Sequence, residues 1–170
     1  MSKTLQIEVD PLLCANQERR IVGELEYGQL TRIQDDVEPS SGSIKADLTF
    51  SRIRKFVVLT GRISSDLVLQ CAACLESMDF PVDIEIKLAV INNESFLSLI
   101  PDGYEPCLIE GDRLTISSVV EDELVLVLPD IARHAVCPVE LPSSSASKDF
   151  VLGTEEKKNP FEALKSLKKN

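Results

Sequence analysis

The chain has 170 residues, 44% of them hydrophobic and 27% charged, which suits one soluble domain with a tail and leaves enough apolar material for a substantial core. Its net charge of -10 argues against polyanion binding over the whole surface, because phosphate contacts come from Lys and Arg. No apolar run approaches the ~20 residues that span a bilayer, and no signal-peptide core follows the first methionine, so a cytoplasmic chain without membrane contact is expected.

Leu5, Ile7 and Val9 alternate with Gln6 and Glu8, a first strand that Asp10 and Pro11 close. Ile21, Gly23, Leu25 and Tyr27 share a face in a second extended segment. Leu30, Ile33 and Val37 stand at helical spacing and predict a short helix or turn before a loop at 38–42. From Ile44 the chain reads as sheet. Ile44, Ala46, Leu48 and Phe50 alternate, residues 51–55 form a hairpin connection, and 56–63 return as a mostly apolar strand that Ser64 and Ser65 break or bulge. Leu67, Leu69 and Cys71 resume the alternation, and Met78, Phe80, Val82, Ile84, Ile86, Leu88 and Val90 occupy every second position beyond it. A run of that length predicts a long strand with one buried and one wet face.

Cys71 and Cys74 lie at the bend between these two strands. Two residues between thiolates let one tight turn aim both sulfurs at a single ion. His134, the only histidine, and Cys137 repeat that gap. Together the four form a three-cysteine, one-histidine set suited to structural zinc, with no position open for a reacting water. Two other readings compete. The pair could be a redox dithiol, although such pairs usually open a helix, which lowers the thiolate pKa. Alternatively the cysteines could be reduced thiols packed at a sheet corner. Cys14 and Cys107 have no partner at ligand spacing and read as plain thiols.

Between these clusters, Phe96, Leu97, Leu99 and Ile100 suggest a helical turn, and residues 104–109 an extended piece. Ser118 and Glu121 fit a capping box that opens the main helix, with Glu121, Asp122 and Glu123 near its positive end. Val120, Leu124, Val127 and Leu128 make its apolar stripe, and Pro129 stops it. Packing against the open face of the sheet is its expected role. Residues 142–158 read as a Ser-rich flexible linker. At 159–170 Asn159 caps a short helix with Pro160 at its first position, Phe161, Leu164 and Leu167 along one edge, and lysines at its end. The expected fold is therefore α+β: a curved antiparallel sheet or partial barrel over 1–141, one main packed helix, a linker, and a short basic C-terminal helix.

Charge is unevenly spread. Residues 43–63 carry Lys45, Arg52, Arg54, Lys55 and Arg62 against Asp47 alone, and the tail adds further lysines. A protein that touches RNA through one patch and is acidic elsewhere has this pattern; solvated loop charge has it too.

Read in order, Cys71, Cys74 and Leu75, then Tyr104, Glu105 and Pro106, then 120–124 through Leu128 and Pro129, then His134 and Cys137, then Asn159, Pro160 and Phe161 with 164–168 resemble the bacterial YceD family of large ribosomal RNA subunit accumulation proteins. The match runs from about Cys71 to the end; residues before Ile44 match only in general character. Where family members often place an arginine between the two cysteines, this chain has Ala72 and Ala73. The resemblance implies a cytoplasmic, non-enzymatic factor supporting synthesis, processing or stability of large-subunit (23S) ribosomal RNA. No catalytic residues come with it. The sequence likewise has no glycine-rich phosphate loop or nucleophile elbow, so no enzyme is expected. On this reading Arg52, Arg54, Lys55, Lys165, Lys168 and Lys169 contact the ribosomal RNA or its precursor particle. The alternative is an acidic adaptor that binds a ribosomal protein or processing nuclease without touching RNA.

Overall fold

In the computed structural model, residues 5, 7–39 and 41–139 are described; the expected linker and C-terminal helix, with Lys165, Lys168 and Lys169, lie outside them. In chain order the elements are β1 (Glu8–Val9), α1 (Pro11–Asn16), β2 (Arg20–Leu25), β3 (Ile44–Ile53), β4 (Phe56–Gln70), β5 (Ser77–Ile91), β6 (Glu105–Leu108), β7 (Leu114–Thr115) and α2 (Ile116–Val127), with single 3₁₀ segments at Tyr27–Gln29 and Glu94–Leu99. Strands β2 to β6 lie side by side in sequence order as an open, curved sheet, while β1 and β7 pair separately. This is the expected α+β architecture. Neighbours from β2 to β5 are antiparallel, but β6 runs parallel to the end of β5, from Leu88 opposite Glu105 to Ile91 opposite Leu108. The sheet is therefore mixed.

The alternation sorts side chains onto two faces. On one face Leu48 and Phe50 of β3, Leu59 and Ile63 of β4 and Ile86 and Leu88 of β5 join Ile116, Val119, Val120 and Leu124 of α2 in the main core. Fully burying a side chain of this size contributes about 1.5–3 kcal/mol, so covering this face is what holds α2 in place. On the opposite face Phe56, Val58, Ala89 and Ile91 form a smaller cluster under Phe96, Ile100 and Tyr104. Elsewhere that face is polar: Arg20 pairs with Asp47, and Arg62 reaches Asp83 at 3.1 Å and Glu85 at 3.9 Å.

Three local expectations change. Asp10 and Pro11 open α1 rather than merely closing a strand: the Asp10 carboxylate accepts from the Leu13 amide at 3.0 Å, and Pro11 takes the first helical position. Ser64 and Ser65 neither break nor bulge β4, being paired with Asp83 and Val82 without interruption. Buried Ser65 donates its hydroxyl to the Ser43 carbonyl at 3.3 Å, which satisfies it inside the strand. The Ser118–Glu121 capping box does not form. Strand β7 runs directly into α2 at Ile116, whose amide is satisfied by the Ile7 carbonyl at 3.0 Å, so the helix starts before the serine. Glu121 is instead buried and accepts from the Arg32 amide at 2.6 Å, while the Arg32 guanidinium pairs with Asp122. Of the two forms expected for Leu30, Ile33 and Val37, the turn is the one observed: all three are buried along a turn-rich segment.

Candidate metal centre and basic hairpin tip

The cysteine knuckle is the connection between β4 and β5. Gln70 and Ser77 pair as the last rung of that ladder, and the turn is closed by the Cys71 amide donating to the Glu76 carbonyl and the Leu75 amide to the Cys71 carbonyl, both at 2.9 Å. Leu75 adopts a left-handed φ of 63°, which folds the chain back sharply after Cys74. The second half of the cluster comes from the segment after α2. Its main-chain tie to the knuckle is the Ala72 amide donating to the Ala132 carbonyl at 2.8 Å. This brings Cys71, Cys74, His134 and Cys137 together, with one donor atom from each lying within 4.8 Å of the others. Cys74 Sγ is 3.4 Å from His134 Nδ1, and the His134 amide points at Cys71 Sγ at 3.5 Å. Cys71 is fully buried; the other three are half-buried.

The donor set fits zinc. Bonds of about 2.3 Å to a tetrahedral ion put sulfurs roughly 3.8 Å apart, inside the spread of this cluster. The electrostatics are prepared for a cation as well. Amides of Cys74, His134 and Ala73 converge on Cys71 and hold its thiol down at about 5. Burial and the neighbouring Cys74 and Cys71 sulfurs push Cys137 up to about 11. One sulfur is thus a ready thiolate, and the crowding that opposes a second negative charge is what a divalent ion relieves. The pair also does not open a helix, since the knuckle leads into β5, unlike the redox arrangement. Cys14, buried in α1, and Cys107, pushed up to about 11 chiefly by burial, lie outside the cluster.

At the far end of β4 is the basic tip. Ile53 pairs with Phe56, so Arg54 and Lys55 alone make the turn, with Arg54 at φ 55° as tight two-residue hairpins require. The strand therefore runs further than expected, and Arg52 sits on β3 itself, its guanidinium donating to the Asn16 side chain at 2.8 Å. Arg52, Arg54 and Lys55 are exposed, and among the described residues none forms an ion pair, whereas Arg20, Arg32 and Arg62 all do. The Lys55 ammonium stands 5.4 Å from the ring centroids of both Phe56 and Phe96. A groove of about 570 Å³ opens beside these rings. Sequence reasoning did not foresee it, because Asp10, Phe56, Phe96 and Asp112, which line it, come from four distant parts of the chain. At ~3.3 Å per residue, the length of β4 separates tip from knuckle by up to roughly 46 Å.

The structure defines an α+β protein in which a curved open sheet carries a three-cysteine, one-histidine cluster at one end and an exposed basic hairpin at the other. Among the described residues no helix is long and apolar enough to cross a membrane. The chain belongs to the YceD family: the family described as large ribosomal RNA subunit accumulation protein YceD matches residues 59–168. A protein of Haemophilus influenzae with that same description is 30% identical over 169 residues, an overlap that spans 96% of each chain. No solved structure matches the chain.

Proposed function

We propose that this protein is a non-enzymatic, cytoplasmic ribosome-biogenesis factor that supports accumulation of large-subunit (23S) ribosomal RNA by binding that RNA, or its precursor particle, through the β3–β4 hairpin. The observation that carries this reading is the tip itself. In a chain of net charge -10, Arg52, Arg54 and Lys55 are concentrated at one hairpin end and, among the described residues, have no ion-pair partner. Exposed cations at a hairpin end suit phosphate contacts, and acidic surface elsewhere limits the contact to that patch. Lys165, Lys168 and Lys169 would add a second set of phosphate contacts. Cys71, Cys74, His134 and Cys137 would hold zinc as a staple that keeps the sheet end and the segment after α2 together, with no part in chemistry.

Reversing all three charges (Arg52→Glu, Arg54→Glu, Lys55→Glu) is expected to abolish co-sedimentation with large-subunit precursor particles. In a binding titration against single-stranded ribosomal RNA it should flatten the slope of log affinity against log salt by about 2, since each lost phosphate contact removes about 0.7. Unchanged association across several salt concentrations would sink the RNA reading. The acidic surface would then be the working face, with a ribosomal protein or processing nuclease as its partner.

A further inference from the structure

Resting on the RNA reading above, we infer that the groove beside the hairpin tip receives one guanine base of single-stranded RNA. Its volume of about 570 Å³ falls in the ordinary range for pockets that enclose a small molecule, about 300–1,000 Å³. Val90, Ile91, Phe96 and Ile109 give it apolar walls, with Phe56 behind them. Phe56 and Phe96 meet edge to face, centroids 6.5 Å apart, which leaves the partly exposed Phe96 ring available as a stacking surface for a flat heterocycle.

The polar groups select the base. Lys55 borders the groove and lies against both rings, where its ammonium can meet the phosphate that flanks an inserted nucleotide. Asp10 and Asp112 also line the groove. Carboxylates repel phosphate, so the part of a nucleotide that enters a groove they line is the base. An ionised carboxylate only accepts hydrogen bonds, so it favours the base edge richest in donors. Guanine offers two adjacent donors, the ring imino group and the exocyclic amine, on its pairing edge. Adenine and cytosine offer a single amino group there, and uracil a single imino group. Asp10 already accepts from the Leu13 amide through one oxygen; Asp112 accepts no hydrogen bond among the described residues and is exposed at the β6–β7 turn. Asp112 is therefore the group that would take the bidentate contact. Pairing-edge readout of an unstacked base is the usual way proteins read single-stranded RNA.

The test is fluorescence anisotropy of the full chain against labelled octaribonucleotides at fixed low salt: all-uridine, and all-uridine with one central residue changed to guanosine, adenosine or cytidine. The guanosine octamer is expected to bind about tenfold tighter than all-uridine, within the range of a good bidentate base contact. Asp112→Asn, which keeps one acceptor oxygen but puts an amino donor in place of the other, breaks the bidentate contact and is expected to remove most of that ratio, and Phe96→Ala to weaken all single-base preferences. The readout is the ratio, and thermal melts of each variant verify folding. Equal affinity for all four octamers overturns the guanine site while leaving the basic tip as an RNA contact. Failure of every octamer to bind overturns both. Loss of a bound ribosomal protein in Asp112→Asn, with no octamer bound by the wild type, would make the groove a protein site and equally overturn the inference.

Discussion

The purified chain is expected to carry one zinc per molecule and to melt about 8–16 °C higher with the metal than after exhaustive chelation. The size of the effect follows from what else holds the segment after α2. Ile131 and Val136 are 67% and 86% exposed, so little apolar burial anchors it, and one main-chain hydrogen bond from Ala72 to Ala132 ties it to the knuckle. A metal present at a thousandfold excess over its dissociation constant contributes about 4.1 kcal/mol, and each kcal/mol moves the melting point of a chain this long by about 2–4 °C. Cys74→Ser and Cys137→Ser, each leaving three ligands, should shift melting the same way and release metal in elemental analysis. Acid should do so as well. Cys71 is held at about 5 in the folded chain, below the ~8.5 of a free thiol. The stability it carries is therefore complete above roughly pH 8.5 and is lost as the pH falls toward 5. Identical melting curves with and without chelator, together with substoichiometric metal, would return these cysteines to the packed-thiol reading.

How much of this could be read from residues alone depended on whether the signal was local. Strands β3, β4 and β5 announced themselves because a sheet with one buried face writes a period of two into the sequence. The cluster was legible because two turns that aim donors at one ion need the same two-residue gap, at Cys71 and Cys74 and again at His134 and Cys137. Strand β6 was legible only as an extended piece at 104–109. It spans only Glu105–Leu108 and is mostly exposed, so nothing in its alternation reveals a parallel partner. The start of α2 was misplaced for a tertiary reason: the Ile7 carbonyl, just ahead of β1, satisfies the Ile116 amide, so the helix does not need the serine cap that local rules favour. Asp10 and Pro11 carry a helix signal of the ordinary kind, a cap followed by proline at the first position, masked by the strand alternation that runs into it. Buried Glu121 shows the limit from the other side, since its partner, the Arg32 amide, lies 89 positions away and no spacing rule connects them.

Gly61 is where these long strands admit no side chain, and Gly61→Ala is expected to cost about 3 kcal/mol or more. The residue lies in the middle of β4, opposite Leu48 on one side and Ile86 on the other. A Cβ built there would fall 2.0 Å from the Asp47 carbonyl oxygen and 2.9 Å from the Leu48 Cα. Both are backbone atoms of β3, so no rotamer change relieves the clash; the two strands themselves must separate. Glycine inside a strand marks such close backbone approach. Overpacking a well-filled interior usually costs about 1–3 kcal/mol, and here the displaced strand also carries Leu48 and Phe50 into the main core. A loss of this size corresponds to a fall of about 6–12 °C in melting temperature. Because β3 and β4 also form the basic hairpin, the proposed RNA contact predicts weaker RNA binding by a folded Gly61→Ala chain with Arg52, Arg54 and Lys55 all intact. Thr60→Ala, one position along the same strand, is the control for a general loss of strand propensity and should stay within about 1 kcal/mol of wild type. Differential scanning calorimetry of both variants decides the matter. If Gly61→Ala melts with Thr60→Ala, the ladder yields at that point and the close approach of β3 to β4 does not constrain the sheet.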